Sequence, residues 1–165
     1  MTTLSFSADT PEADLARLRQ PELAELFAGL PAATDEALSG HTWRGRALAP
    51  LLLENAPRPL LGMACRVLAT PLNPWLGKRF DGATGVNAWL GGSFSLGRYG
   101  CESRLSPVDG QPVLWLDYNL PENPALLHAI RGEVRVFDNH TFLARMNWQT
   151  ATGFATVLYF TLRRD

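Results

Sequence analysis

Arg145 makes the clearest chemical demand of any residue in this chain. It stands in the segment Thr141–Gln149, and strand alternation predicts one face shared by Val134, Val136, Leu143, Arg145, Asn147, Leu158 and Phe160. A guanidinium cannot escape its charge by losing a proton, so within an apolar lining it needs an anion nearby or suffers a severe desolvation cost. Two sources qualify. Asp117 or Glu102 from preceding strands would make a structural ion pair, whereas the carboxylate or phosphate of a bound molecule, held by the guanidinium fork, would make Arg145 a ligand anchor. Asn147 adds a polar contact in either case. Trp115-Leu-Asp117-Tyr118 sets a carboxylate among two amphipathic aromatics at a strand end before Pro121, the kind of position that lines the mouth of a barrel. Arg145, Asn147, Trp115, Asp117 and Tyr118 are the candidate ligand-binding residues.

Other chemistry is weakly signalled. Lys78 and Arg79, between Trp75 and Phe80, form a small basic spot that could meet a phosphate or carboxylate. Adjacent strand residues face opposite ways, which predicts a solvated lysine and a packed arginine. The three histidines, His41, His128 and His140, are dispersed without metal-ligand spacing, so no metal site is expected. A G-x-S-x-G elbow is absent, and Gly91-Gly-Ser-Phe-Ser-Leu-Gly97 lacks the Gly-Lys-Ser/Thr of a phosphate loop. No cofactor is implied. Folds of this kind do host isomerases and cyclases without linear motifs, so an acid–base enzyme using His41, Asp117 or Tyr118, or His41 with Glu54, is the alternative reading. A third is an interaction module presenting Trp75 and Trp89 to a protein or membrane surface.

The elements that must position these residues are mostly strands. Glu133–Phe137, Thr141–Gln149 and Phe154–Arg163 alternate as three consecutive antiparallel strands, apolar on both faces, which requires a closed or covered sheet. Upstream, His41–Ala47, Lys78–Asp81, Gly85–Leu90, Phe94–Leu105 and Gln111–Leu120 have strand character, punctuated by Asp81-Gly82, Gly91-Gly92 and Asp109-Gly110. Residues 1–39 are helical in pattern. Thr10 and Pro11 open one helix, Pro21 a second and Thr34 a third. Arg58–Leu68 predicts a covering helix of about three turns, and Asn123 a cap for a short helix over Pro124–Ile130.

With 165 residues, 46% of them hydrophobic, one domain can bury a full core, the helical segment 1–39 lying on a β-rich body over 40–165. A formal net charge of −1 offers no footprint for nucleic acid. Cys65 and Cys101 lack CxxC or histidine spacing and imply neither a disulfide framework nor zinc. The opening residues carry no signal-peptide pattern and the longest apolar stretch is too short to span a bilayer, so a cytoplasmic location without a transmembrane segment is expected.

Trp43, in Leu38-Ser-Gly-His-Thr-Trp-Arg-Gly45, would plug the end of a barrel beside a glycine that lets the chain turn. This stretch, with Trp75-Leu-Gly-Lys-Arg-Phe80, resembles the GXWXG-type domain family, small bacterial β-rich proteins of unassigned function. The resemblance implies a compact β-rich fold and carries no catalytic residue onto this chain. A fainter likeness is to lipocalin-like barrels, in which a first-strand tryptophan packs near a basic residue of the last strand; Trp43 with Arg163 or Arg164 would form that latch.

The sequence therefore predicts an α+β, mainly β protein: an antiparallel curved sheet or lipocalin-like barrel with N-terminal helices and one covering helix. Non-catalytic binding of a small apolar or amphiphilic acidic molecule in the interior is the expected function, with oligomeric state open.

Overall fold

The computed structural model describes residues 12–48, 75–89 and 97–164. Eight strands, β1 (Thr42–Leu48), β2 (Trp75–Asp81), β3 (Thr84–Trp89), β4 (Arg98–Leu105), β5 (Pro112–Asp117), β6 (Ile130–Val136), β7 (Thr141–Thr150) and β8 (Gly153–Arg163), pair in chain order. All pairings are antiparallel, and β1 pairs with β8 to close the barrel. Closure removes the sheet edges and explains why both faces of the last strands are apolar: one lines the interior and the other is covered.

The interior holds Trp43, Phe80, Tyr99, Leu114, Leu116, Tyr118, Val134, Phe142, Ala144, Phe160 and Leu162 as one buried cluster. The short helix α3 (Asp35–Leu38) closes one end. Thr34 caps it by accepting from the Ala37 amide at 3.3 Å, and the Leu38 carbonyl accepts from Trp43 Nε1 at 2.9 Å. Trp43 stands edge-on to Phe142 at 4.8 Å between ring centres, so the indole is the plug its sequence context predicts.

A second core lies on the outside. Helix α2 (Gln20–Gly29), which follows the short α1 (Glu12–Leu15), lays Leu23 and Phe27 against Leu48, Val113, Leu143 and Tyr159. Leu48 shares its strand face with the exposed Arg44 and Arg46, which identifies that face as the exterior. Between α2 and α3 the chain runs along β6, where Val136 N–H donates to Pro31 O at 2.9 Å and Ala32 bridges Arg135.

The register corrects the predicted faces. Val134 pairs with Ala144, Val136 with Phe142, and Phe160 with Ala144. Phe142, Ala144 and Met146 thus share the interior with Val134, Leu158 and Phe160, while Leu143, Arg145 and Asn147 face outward with Glu133, Arg135 and Tyr159. The cause is the β6–β7 turn, in which Phe137 and Asp138 N–H both donate to Thr141 O at 3.0 Å. Alternation orders residues within a strand, but the turn sets the phase between strands, and a one-residue slip exchanges every side chain between faces.

Two smaller expectations also change. Pro124–Ile130 is a 3-10 helix over Ala125–Ala129, and Asn123 does not cap it. Its side-chain amide instead donates to the Arg98 and Tyr118 carbonyls, each at 2.7 Å, and its oxygen accepts from Arg98 N–H at 3.0 Å, tying β4 to the end of β5. The strand expected from Phe94 begins at Arg98 among the described residues. The expected Arg58–Leu68 helix, Cys65, Glu54 and the Thr10 cap lie outside them. No helix among the described residues is long and apolar enough to cross a membrane.

Candidate functional site: a lysine inside the barrel

The block Trp75-Leu-Gly-Lys-Arg-Phe80 places its charge contrary to the expectation of a solvated lysine. Lys78 is only 3% exposed, whereas Arg79 is on the surface. A bulge between Trp75 and Gly77 breaks the alternation, so that Trp75, Lys78 and Phe80 all turn inward and Leu76 outward. Gly77 permits this: its φ is +142°, and a Cβ there would lie 1.8 Å from the Trp43 carbonyl oxygen. Gly45 makes room for the incoming indole, since a Cβ on it would sit 2.2 Å from the Trp75 ring. The two tryptophan blocks are therefore one packing unit.

Lys78 reaches across the barrel. Its Nζ donates to Asn87 Oδ1 on β3 at 2.7 Å and to the hydroxyl of Tyr118 just beyond β5, while that hydroxyl donates to Asn87 Oδ1 at 3.3 Å. The rings of Tyr99, Tyr118 and Phe160 lie 4.7, 5.0 and 5.6 Å from the nitrogen. The amine thus has two polar partners in an aromatic cage and, among the described residues, no carboxylate. Burial lowers its pKa from the usual lysine value to about 7, with the neighbouring Cys101 opposing weakly. Burial likewise raises the Tyr118 and Tyr99 hydroxyls and pushes the Cys101 thiol up to about 12. Near neutrality Lys78 is available both as a hydrogen-bond-donating cation and as a neutral amine with a free lone pair. Toward the far end the interior is more open to the surface: Gly45, Trp75, Asn87, Trp89, Met146 and Leu158 are half-buried.

A signal for this site was present in the sequence. The chain has fourteen arginines and this one lysine, so its single side-chain amine lies in the barrel core. Arginine cannot discharge on burial and lysine can.

Of the candidate ligand-binding residues, Tyr118 alone lies in this cage. Arg145 sits on the outer face beneath α2, 2% exposed, gripping Glu133 at 2.6 Å and Asp109 at 2.8 Å. Asp109 also receives Arg135 at 2.9 Å, and the Phe27 ring lies 4.5 Å from both guanidinium groups. Burial disfavours the Arg145 charge, but the Glu133 and Asp109 carboxylates together outweigh it and raise the pKa; burial of Asp109 is similarly outweighed by Arg135, Gln111 N–H and Arg145, which hold it low. Arg145 therefore has protein anions, though not Asp117 or Glu102. Asn147 donates to Glu133 at 3.2 Å in the same network. Asp117 pairs on the exterior with Arg131 at 3.2 Å, and Trp115 packs there between Phe154 and Arg104. The cation over Trp43 is Arg164, at 5.5 Å, while Arg163 lies in register with Arg44 and Thr141. His41 is exposed, and Trp75 and Trp89 are half-buried on the interior side. No metal-binding cluster of His, Cys, Asp or Glu occurs among the described residues.

The site and its frame define a closed, up-and-down eight-stranded barrel with a lysine at its heart. The solved structure of a protein from Thermomonospora curvata shares this fold, with a TM-score of 0.58 and 20% identity over 90% of this chain and 88% of that one. At that identity the likeness speaks for the fold alone. No family model and no curated protein matches the chain.

Proposed function

We propose that the barrel interior binds a small, largely apolar molecule carrying an acidic group, with protonated Lys78 as its counter-ion and Tyr118 and Asn87 as hydrogen-bonding company. The observation that carries this reading is the buried amine of Lys78, which has aromatic walls and two neutral partners but no described carboxylate. A ligand carboxylate would supply the missing charge, and its chain would meet the apolar lining. Eight-stranded barrels are wide enough to hold one small ligand. Arg145 is engaged by Glu133 and Asp109, so the anchoring role expected of it passes to Lys78. The roles of Trp43, Gly45, Trp75, Lys78 and Phe80 also support kinship with the GXWXG-type proteins, whose signatures these residues resemble.

The test is a fluorescence titration with decanoate and decanol, using the interior tryptophans as reporters. Binding of decanoate in preference to decanol, with the preference lost in Lys78→Met and kept in Arg145→Lys, is the expected outcome. Equal response to acid and alcohol, or none to either, contradicts it.

A further inference from the structure

The arrangement around Lys78 supports a second chemistry that an ion-pairing cation cannot perform. A protonated lysine attracts carboxylates; a neutral one is a nucleophile toward carbonyl carbon. Asn87 Oδ1, 2.7 Å away, can hold one amine hydrogen and orient the lone pair, and the Tyr118 hydroxyl lies within hydrogen-bonding reach of the same nitrogen. No described carboxylate holds the amine in its charged form, and aromatic rings exclude the water that hydrolyses imines. We infer that Lys78 captures apolar aldehydes as an imine inside the barrel, with Tyr118 as the proton shuttle. The inference rests on the interior site proposed above and extends it from acids to carbonyl compounds.

The step balances without a further reagent. The Nζ lone pair forms a bond to the carbonyl carbon while the C=O π pair moves to oxygen, which takes the Tyr118 proton; an amine hydrogen restores the tyrosine. The carbinolamine then breaks its C–O bond as the nitrogen pair forms C=N. The hydroxyl leaves with the remaining N–H proton as water. Burial also favours the reactants required, keeping Tyr118 protonated and the amine largely uncharged slightly above neutrality.

The single lysine makes the test clean, because the only other primary amine is the N-terminus. The protein is incubated with decanal and cyanoborohydride at about pH 7.5, where a lysine titrating near 7 is neutral far more often than an ordinary one near ~10.4. Intact mass and peptide mapping should find one decyl group on Lys78, acquired at least about tenfold faster than on acetyl-lysine amide. Tyr118→Phe should slow this labelling by a larger factor than it weakens decanoate binding. Labelling at the N-terminus alone, or of Lys78 no faster than the model amide, overturns the inference. If decanoate binds while decanal is not captured, imine formation fails and the acid site stands; capture without decanoate binding has the reverse meaning. Failure of both removes the interior site altogether.

Discussion

Lys78 and Tyr118, separated by 40 residues in sequence, meet head to head inside the barrel, the lysine nitrogen donating to the phenolic oxygen. The contact joins β2 to the end of β5 through the interior, and Asn87 on β3 bonds to both. Such a contact requires closure of the sheet, so the fold and the candidate site depend on the same geometry.

Burying this amine should appear as pH-dependent stability. Native Lys78 titrates near 7, and an unfolded lysine near ~10.4, so between those values the unfolded chain binds the extra proton. Stability therefore rises with pH above about 7, by at most ~1.4 kcal/mol per unit. Cys101, pushed up to about 12, acts in the opposite sense above the ordinary thiol range, which leaves about pH 7 to 8.5 as the informative window. Denaturant melts should show this rise in the wild type and a flatter profile in Lys78→Met; parallel profiles would place the amine in water.

Acid binding should carry the same signature. A bound carboxylate needs the protonated amine, so decanoate affinity should fall about tenfold per pH unit above ~7 while decanol affinity stays level. Titrations at three pH values measure the slope.

Arg145 acts through stability. Arg145→Met leaves Glu133, which is fully buried, without its cation and should cost about 3–5 kcal/mol. The double change Arg145→Met with Glu133→Gln should recover part of that loss. A lowered denaturation midpoint with decanoate binding retained in the folded fraction is the expected pattern.

Trp43→Ala removes the plug beneath α3, together with its bond to Leu38 O, and should cost about 3–5 kcal/mol. Gly77→Ala should be comparably disruptive, because the added carbon meets the Trp43 carbonyl in a conformation that suits glycine. Thermal melts of both variants check these expectations.

Much of this architecture is legible in the sequence, and the reasons are local. The last three strands, the α3 cap at Thr34 and the inward Trp43 follow from alternation, capping chemistry and residue size. The candidate site was less legible, because it depends on phase. Arg145 and Lys78 both stand in strands whose inward face cannot be chosen from alternation alone. The β6–β7 turn sends Arg145 out to Glu133, and the Gly77 bulge turns Trp75 in beside Lys78. The Asp109 partner comes from the β4–β5 hairpin, whose fold onto the outer face no spacing in the chain foretells.

Lysine side-chain NMR on protein labelled at lysine Cε reads the state of the buried amine itself, since the single lysine gives a single signal. The titration midpoint should lie near 7 and move upward when decanoate is added. A midpoint near ~10.4, unmoved by decanoate, is the behaviour of a solvated lysine and would contradict the burial of Lys78.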